Sequence, residues 1–238
     1  MEVQSHGKTH QGRVRPGNED ALFVGRWVYA VADGVGGAPA GEVASTLAVE
    51  QVAAYDDATP EDIADTGALL GASVRAAART VAEAGADDPA RTGMATTLTA
   101  AAVWDDQLVI AHVGDSRAYL LRDGLEQLTN DHTAVEEAVQ VGLLDRADAA
   151  RHPERHLLVR VVGMDPDVPV ADYGPWRLQS GDRVLLCSDG LTEACETRAI
   201  ARHLEDARDP ESACEALIRA ALEGGGPDNV TVVVLDLV

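Results

Sequence analysis

Two spacings of apolar residues alternate along the chain. Runs of Val, Leu, Ile and Ala that are unbroken or of period two mark strands, and apolar residues three and four apart mark helices. The first pattern predicts strands over 28–32, 96–104, 107–113, 118–121, 125–128, 183–188 and 230–235. Weaker runs predict an edge strand over 3–10, a strand over 21–24, and two more at 168–170 and 176–178. The second pattern predicts a helix that begins at 39–42, with Val43, Leu47, Val49, Val52 and Ala53 on its apolar side. Another starts near Pro60, with Thr59 as N-cap, Asp62 as an acid in the first turn, and Leu69, Leu70, Val74 and Val81 facing inward. Helices over 134–141, 145–150, 197–204 and 210–222 follow. Asp105-Asp106 and Arg122-Asp123-Gly124 punctuate 96–128 as hairpin turns, so that stretch reads as an antiparallel meander. No internal repeat or low-complexity linker interrupts the pattern, and residues 1–238 are expected to form one domain.

Composition narrows this picture. The chain is 46% hydrophobic but only 3% aromatic, so its core rests on Val, Leu and Ala. Forty acidic against 19 basic residues give a formal charge of -21. Such a surface repels nucleic acid and anionic membranes, and neither is expected as a partner. Three cysteines, Cys187, Cys195 and Cys214, have no metal-ligand spacing, which suits a reducing compartment. Residues 1–11 lack the apolar run of a signal peptide, and no stretch is long and apolar enough to span a bilayer. A cytoplasmic protein is expected. One segment runs against the overall charge: 131–160 carries Arg146, Arg151, His152, Arg155, His156 and Arg160. Charge alone leaves two readings open, a flap near an anionic ligand or a charge-balanced surface.

The candidate chemistry lies where apolar strands run into carboxylates. The strand over 28–32 ends in Asp33-Gly34-Val35-Gly36-Gly37, and the strand over 183–188 ends in Asp189-Gly190. Asp228-Asn229 precedes the last strand, Gly114-Asp115 lies between two others, and Glu19-Asp20 precedes 21–24. Each unit alone is as consistent with a turn as with a ligand. Together they are acids that would repel one another unless a cation offsets the charge. An all-oxygen set, with the open carbonyl of Gly34 beside Asp33, suits Mg²⁺ or Mn²⁺ better than zinc. A bridging Asp flanked by further Asp ligands describes a two-metal centre acting on a phosphoryl group.

With these residues in hand, the sequence resembles the bacterial branch of the metal-dependent (PPM, type 2C) Ser/Thr protein phosphatases. The resemblance rests on Gly12-Arg13-Val14-Arg15-Pro16-Gly17-Asn18-Glu19-Asp20, Val31-Ala32-Asp33-Gly34-Val35-Gly36-Gly37, Gly93-Met94-Ala95-Thr96-Thr97-Leu98 and Val113-Gly114-Asp115-Ser116-Arg117. Leu128-Thr129-Asn130-Asp131-His132-Thr133, Ser188-Asp189-Gly190-Leu191 and Gly226-Pro227-Asp228-Asn229-Val230-Thr231 complete it, in family order and over nearly the whole chain.

The resemblance implies an α+β, four-layer α-β-β-α sandwich, with two central antiparallel sheets flanked by helix pairs. It implies hydrolysis of phosphoserine and phosphothreonine by a hydroxide that bridges two Mn²⁺ or Mg²⁺ ions. By the same resemblance Asp33 bridges the ions, Gly34 offers its carbonyl to one, and Asp189 and Asp228 hold the other. Asp115 with Asp189 would take a third ion, Glu19 and Asp20 would ligate through water, and Arg15 would grip the phosphate. The segment 133–160 matches the family's variable flap. Phosphorylated proteins, a cognate Ser/Thr kinase and a monomeric state are the implied partners and assembly. Three positions depart from the family pattern: His10, Val35 and Ala38. The last two remove a histidine proton donor, and His132 is expected to serve in capping or packing.

Overall fold

The computed structural model describes residues 1–149 and 151–238. The strands are β1 (Val3–His10), β2 (Asp20–Val24), β3 (Val28–Asp33), β4 (Leu98–Trp104), β5 (Gln107–Val113), β6 (Arg117–Leu121), β7 (Leu125–Gln127), β8 (Ala171–Arg177), β9 (Arg183–Cys187) and β10 (Val230–Leu237). The helices are α1 (Gly41–Ala53), α2 (Ile63–Asp87), α3 (Ala134–Gln140), α4 (Arg146–Ala149), α5 (Asp189–Ala194), α6 (Thr197–Asp206) and α7 (Pro210–Glu223), with a 3-10 turn at Pro89–Arg91.

The strands make two antiparallel five-stranded sheets, ordered β2-β3-β4-β5-β8 and β1-β10-β9-β6-β7. Period-two alternation sorts their side chains into layers. From β3, Val28, Ala30 and Ala32 point outward and pack beneath α1 and α2 with Ala44, Ala48, Leu70, Val74 and Val81. Tyr29 and Val31 of the same strand point inward and meet Leu186, Val233 and Leu235 of the opposite sheet. On the far side Leu185, Val232 and Val234 pack beneath α5, α6 and α7 with Leu191, Ile200, Leu217 and Ile218. The layering is therefore helix, sheet, sheet, helix, as expected, and β9, β3 as far as Ala32 and most of β10 are buried.

Several boundaries differ from expectation for identifiable reasons. Helix α2 begins at Ile63, because the Asp62 carboxylate accepts from the Asp65 N–H at 2.9 Å and so takes the N-cap role given to Thr59. Residues 168–170 form no strand. Val168 is buried, but the pairing with β5 starts at Ala171, past Pro169, which has no N–H to donate. Helix α5 was not anticipated: six residues with one buried leucine give too little periodicity to read. The helix expected over 145–150 is present as α4, and its last position, 150, lies outside the described residues.

Candidate metal centre

The two sheets meet at one end in a cleft of about 320 Å³. Its lining includes Arg15, Asp33, Gly34, Asp115, Asp189 and Asp228, together with Val35, Gly36, Thr97, His156, Leu158 and Glu193. The six expected residues come from five separate stretches of chain, and both sheets contribute to them.

Asp33 closes β3 opposite Asp20, the first residue of β2. Its backbone is held on both sides. The Asp33 N–H donates to Thr97 Oγ1 at 3.0 Å, and its carbonyl accepts from the Thr97 N–H and Thr96 Oγ1, both at 2.8 Å. A saturated backbone leaves the carboxylate as the free group. Next to it, a Cβ on Gly34 would lie 2.6 Å from the Gly41 backbone, so only glycine lets α1 start this close.

Asp189 opens α5, directly after Ser188. Ser188 Oγ donates to Asp20 Oδ2 at 2.8 Å and accepts from the Thr231 N–H at 2.9 Å, which ties the starts of β2, α5 and β10 together. Asp228 accepts from Arg15 Nη2 at 2.6 Å through Oδ2 and from the Asn229 N–H at 2.8 Å through Oδ1. The buried Asn229 amide then staples the 11–19 loop. Its Nδ2 donates to the Gln11 and Gly17 carbonyls, and its Oδ1 accepts from the Glu19 N–H, all at 2.8 Å. Arg15 is thereby carried to Asp228, and its guanidinium rests against Gly36, where a Cβ would sit 2.8 Å from Nη1.

Asp115 lies in the turn that takes the chain from β5 in one sheet to β6 in the other. Gly114 before it is gripped by His132, whose N–H donates to the Gly114 carbonyl at 2.7 Å and whose Nδ1 accepts from the Gly114 N–H at 3.1 Å. Ser116 after it is held by Thr97 Oγ1 at 2.7 Å and Thr99 Oγ1 at 3.0 Å. His132 packs on His112 with ring centroids 4.7 Å apart. Burial pushes His112 down to about 3 and His132 down to about 4, so both rings are neutral near pH 7. His132 therefore packs and positions, and Thr133 caps α3.

The electrostatics have one sign. Burial, then the charges of Asp20, Asp189 and Asp115, raise Asp33 well above the usual carboxylate range. Burial, then Asp115 and Glu193, do the same to Asp189. Burial followed by Asp131 lifts Asp115 to about 7. Burial lifts Asp20 to about 6, partly offset by bonds from Thr231 and Ser188. Asp20 Oδ1 is buried without any partner. Converging carboxylates with an orphaned oxygen behind them fit a hard divalent cation, which would offset the repulsion and lower all of these values together. Glu19 and Asp20 are absent from the cleft lining and stand behind it.

Sequence reasoning missed Asn229 and Ser188 as positioning residues, and His156 and Glu193 as part of the cleft. Asn229 and Ser188 sit inside the motifs but carry no charge to draw attention. Glu193 follows Asp189 by four residues, a helical spacing that would have placed it beside Asp189 had α5 been read. His156 is brought in only by the tertiary course of 133–160. Among the departures, His10 Nδ1 accepts from the Gly12 N–H at 2.9 Å and so shapes the 10–12 turn. Val35 lines the cleft and brings no titratable group to it.

Comparison with known proteins gives a consistent result. The sequence model described as Protein phosphatase 2C matches residues 6–223. The chain is 43% identical to the Ser/Thr protein phosphatase PstP of Mycobacterium tuberculosis over 232 residues, covering 97% of this chain and 44% of that protein. It thus spans less than half the length of that curated relative. It is 35% identical to the Ser/Thr phosphatase Stp of Listeria monocytogenes over 240 residues, covering 96% of this chain and 94% of that one. A crystal structure of the PstP catalytic domain in complex with two manganese ions superposes with a TM-score of 0.86 at 39% identity, covering 98% and 97% of the two chains.

Proposed function

Because this chain belongs to the protein phosphatase 2C family, we propose that it is a metal-dependent phosphoprotein phosphatase acting on phosphoserine and phosphothreonine. The observation that carries the reading is the delivery of Asp33, Asp189 and Asp228 from two sheets into one cleft with Arg15. In this reading Asp33, the Gly34 carbonyl, Asp189 and Asp228 would hold two ions, with Asp33 shared between them, and Asp115 with Asp189 would hold a third. Bound Mn²⁺ or Mg²⁺ supplies an acidified water as nucleophile and positive charge against the phosphoryl oxygens.

The chain's own groups do the rest. Arg15 spends one N–H on Asp228 and keeps four for phosphate, in a planar fork that matches two oxygens. Gly36 leaves room for that guanidinium, and Asn229 fixes the loop that bears it. Asp20, held by Ser188, stands ready to order water behind Asp33. The flap borders the cleft through His156 and Leu158, which supports a role in meeting protein substrates. The partners in this reading are phosphoproteins and a cognate Ser/Thr kinase, met by a monomer in the cytoplasm. Three free, buried cysteines suit that compartment, and no helix among the described residues is long and apolar enough to cross a membrane.

Hydrolysis of a phosphothreonine peptide and of p-nitrophenyl phosphate, with and without Mn²⁺ and over several pH values, tests the proposal. Mn²⁺-dependent phosphate release is expected. No release under any of these conditions sinks the reading.

A further inference from the structure

Beside the cleft lies a second cavity of about 600 Å³, and the two share Asp115, His156, Asp189 and Glu193. Helix α5 forms one wall, and the flap supplies another through Thr133, Arg146, Arg155 and His156. A substrate chain whose phosphate lies in the cleft has this space beside it. An extended segment advances about 3.3 Å per residue, so side chains two or three residues from the phosphorylated one are within reach of the cavity.

Almost all the charge in the cavity is already matched. Arg117 donates three hydrogen bonds to Asp131 and a fourth to the Tyr119 hydroxyl. Arg146 donates from Nη1 and Nη2 to the two oxygens of Glu136, at 3.0 and 2.9 Å. Glu193 Oε1 lies 2.8 Å from His156 Nδ1. Asp115 and Asp189 belong to the proposed metal centre, where cations would offset them. Arg155 is left over. It lines the cavity, it is exposed, and it has no ion-pair partner among the described residues. In a chain with 40 acidic residues against 19 basic ones, that is not for want of carboxylates.

The turn that carries Arg155 is pinned. The Arg155 N–H donates to the His152 carbonyl at 3.2 Å, and the Glu154 N–H donates to His152 Nδ1 at 3.2 Å. Just beyond, the Leu157 carbonyl accepts from the Ala134 N–H and Leu158 bridges Thr133. An unspent guanidinium fork is thus presented to the cavity from an anchored loop.

We propose that this cavity receives an anionic side chain of the substrate, close in sequence to the phosphate being removed, and that Arg155 reads it. The inference rests on the phosphatase reading and names its substrate class: phosphopeptides with a carboxylate or a second phosphate near the scissile one. Both groups offer the pair of oxygens that a guanidinium fork matches. A basic neighbour would instead meet an unpaired like charge, so Arg155 also selects against it.

Steady-state hydrolysis of matched phosphothreonine peptides by the Mn²⁺-loaded protein tests this. One peptide has neutral flanks, a second set carries glutamate at single positions on either side, and a third carries a non-hydrolysable phosphonate there. The readout is the ratio of kcat/KM for each acidic peptide to that for the neutral one, which cancels any general loss of activity. At the position that reaches the cavity, a ratio of about three to ten is expected in the wild type, on the scale of one partly exposed charged contact. The ratio should fall to about one in Arg155→Ala and below one in Arg155→Glu. It should persist in Arg151→Ala, which removes an equal charge from the flap outside the cavity lining. A larger ratio for phosphonate than for glutamate identifies a second phosphate as the preferred anion, and an equal or smaller one identifies a carboxylate. A ratio near one at every position overturns the inference and leaves the phosphatase reading standing. So does a preference that survives Arg155→Ala or is lost equally in Arg151→Ala. No hydrolysis of any peptide overturns both.

Discussion

Asn229 is neutral, yet it decides where two charged groups stand. Its amide makes three hydrogen bonds to the 11–19 loop, and through them Arg15 reaches Asp228 and Glu19 lies behind the cleft. Asn229→Ala removes three hydrogen bonds to a half-exposed loop, each worth about 0.5–1.5 kcal/mol. The variant should melt earlier and show a raised KM, because the loop that presents Arg15 is no longer pinned. Arg15→Ala removes the fork alone: a loss of roughly 10- to 100-fold in kcat/KM is expected from a hydrogen bond to charge worth about 1.5–3 kcal/mol, with the melting temperature little changed. Asp33→Asn keeps the shape and removes the charge that the proposed function assigns to bridging the ions, so turnover should vanish at every Mn²⁺ concentration. Retained turnover would refute the bridging assignment. At this scale the sequence was most readable where charge met glycine. Asp33, Asp189 and Asp228 stand out together, because several carboxylates beside buried strands would repel one another if they converged without a cation. Asn229 and Ser188 do not, since amides and hydroxyls end strands everywhere.

Helix α5 places two cleft residues in one short element, and its position is set by contact rather than propensity. A Cβ on Gly190 would fall 1.9 Å from the Asn229 carbonyl, so the absence of a side chain lets α5 dock on the 228–229 turn. Gly12 does the same from the other side: its φ of +80° and a Cβ position 2.1 Å from the Asp228 carbonyl admit only glycine. Two glycines thus clamp one turn between α5 and the 11–19 loop. Gly190→Ala should separate Asp189 from Asp228, and Mn²⁺ titration should show the affinity lost before the fold is. Affinity equal to wild type would mean that α5 shifts without disturbing the ligands. Elements such as β3, β4, β5, β9, β10 and α7 could be read from the sequence because their periodicity runs long enough to exceed chance. Helix α5 has six residues, and β8 carries Gly174-Pro175 in mid-strand, so neither pattern had room to declare itself. Helix α2 was placed but misdated at its start, since Thr59 and Asp62 are both good caps and only the observed bond to Asp65 separates them.

For the molecule as a whole, the carboxylate cluster is a stability term with a sign. Asp115 at about 7 and Asp20 at about 6 lie above the ~3.9 of an unfolded aspartate. Between those limits the folded, metal-free protein holds more protons than the unfolded chain. Stability is then fully present below pH ~4 and falls as pH rises toward about 7. Asp115→Asn cannot ionise, so its melting temperature relative to wild type should climb across that window in chelator and level off above it. Added Mn²⁺ should reverse the difference, since the wild type then gains binding energy that the variant loses. A difference that stays flat with pH would show that Asp115 is not held in this way. The α-β-β-α layering itself was legible through the family resemblance; the strand periodicities alone left the order of the strands open.

That order has a consequence for how the chain is made. Strand β10 is not an edge: it fills the slot between β1 and β9. Asp33 leaves the ribosome nearly two hundred residues before Asp228. Until Val230–Leu237 arrives, β1 has no neighbour on which to pair, and the second sheet has a gap beside β9. A nascent chain that lacks this strand therefore carries its acids apart, without a closed cleft. Within residues 1–238, β10 closes the second sheet and brings Asp228 to the cleft in the same step.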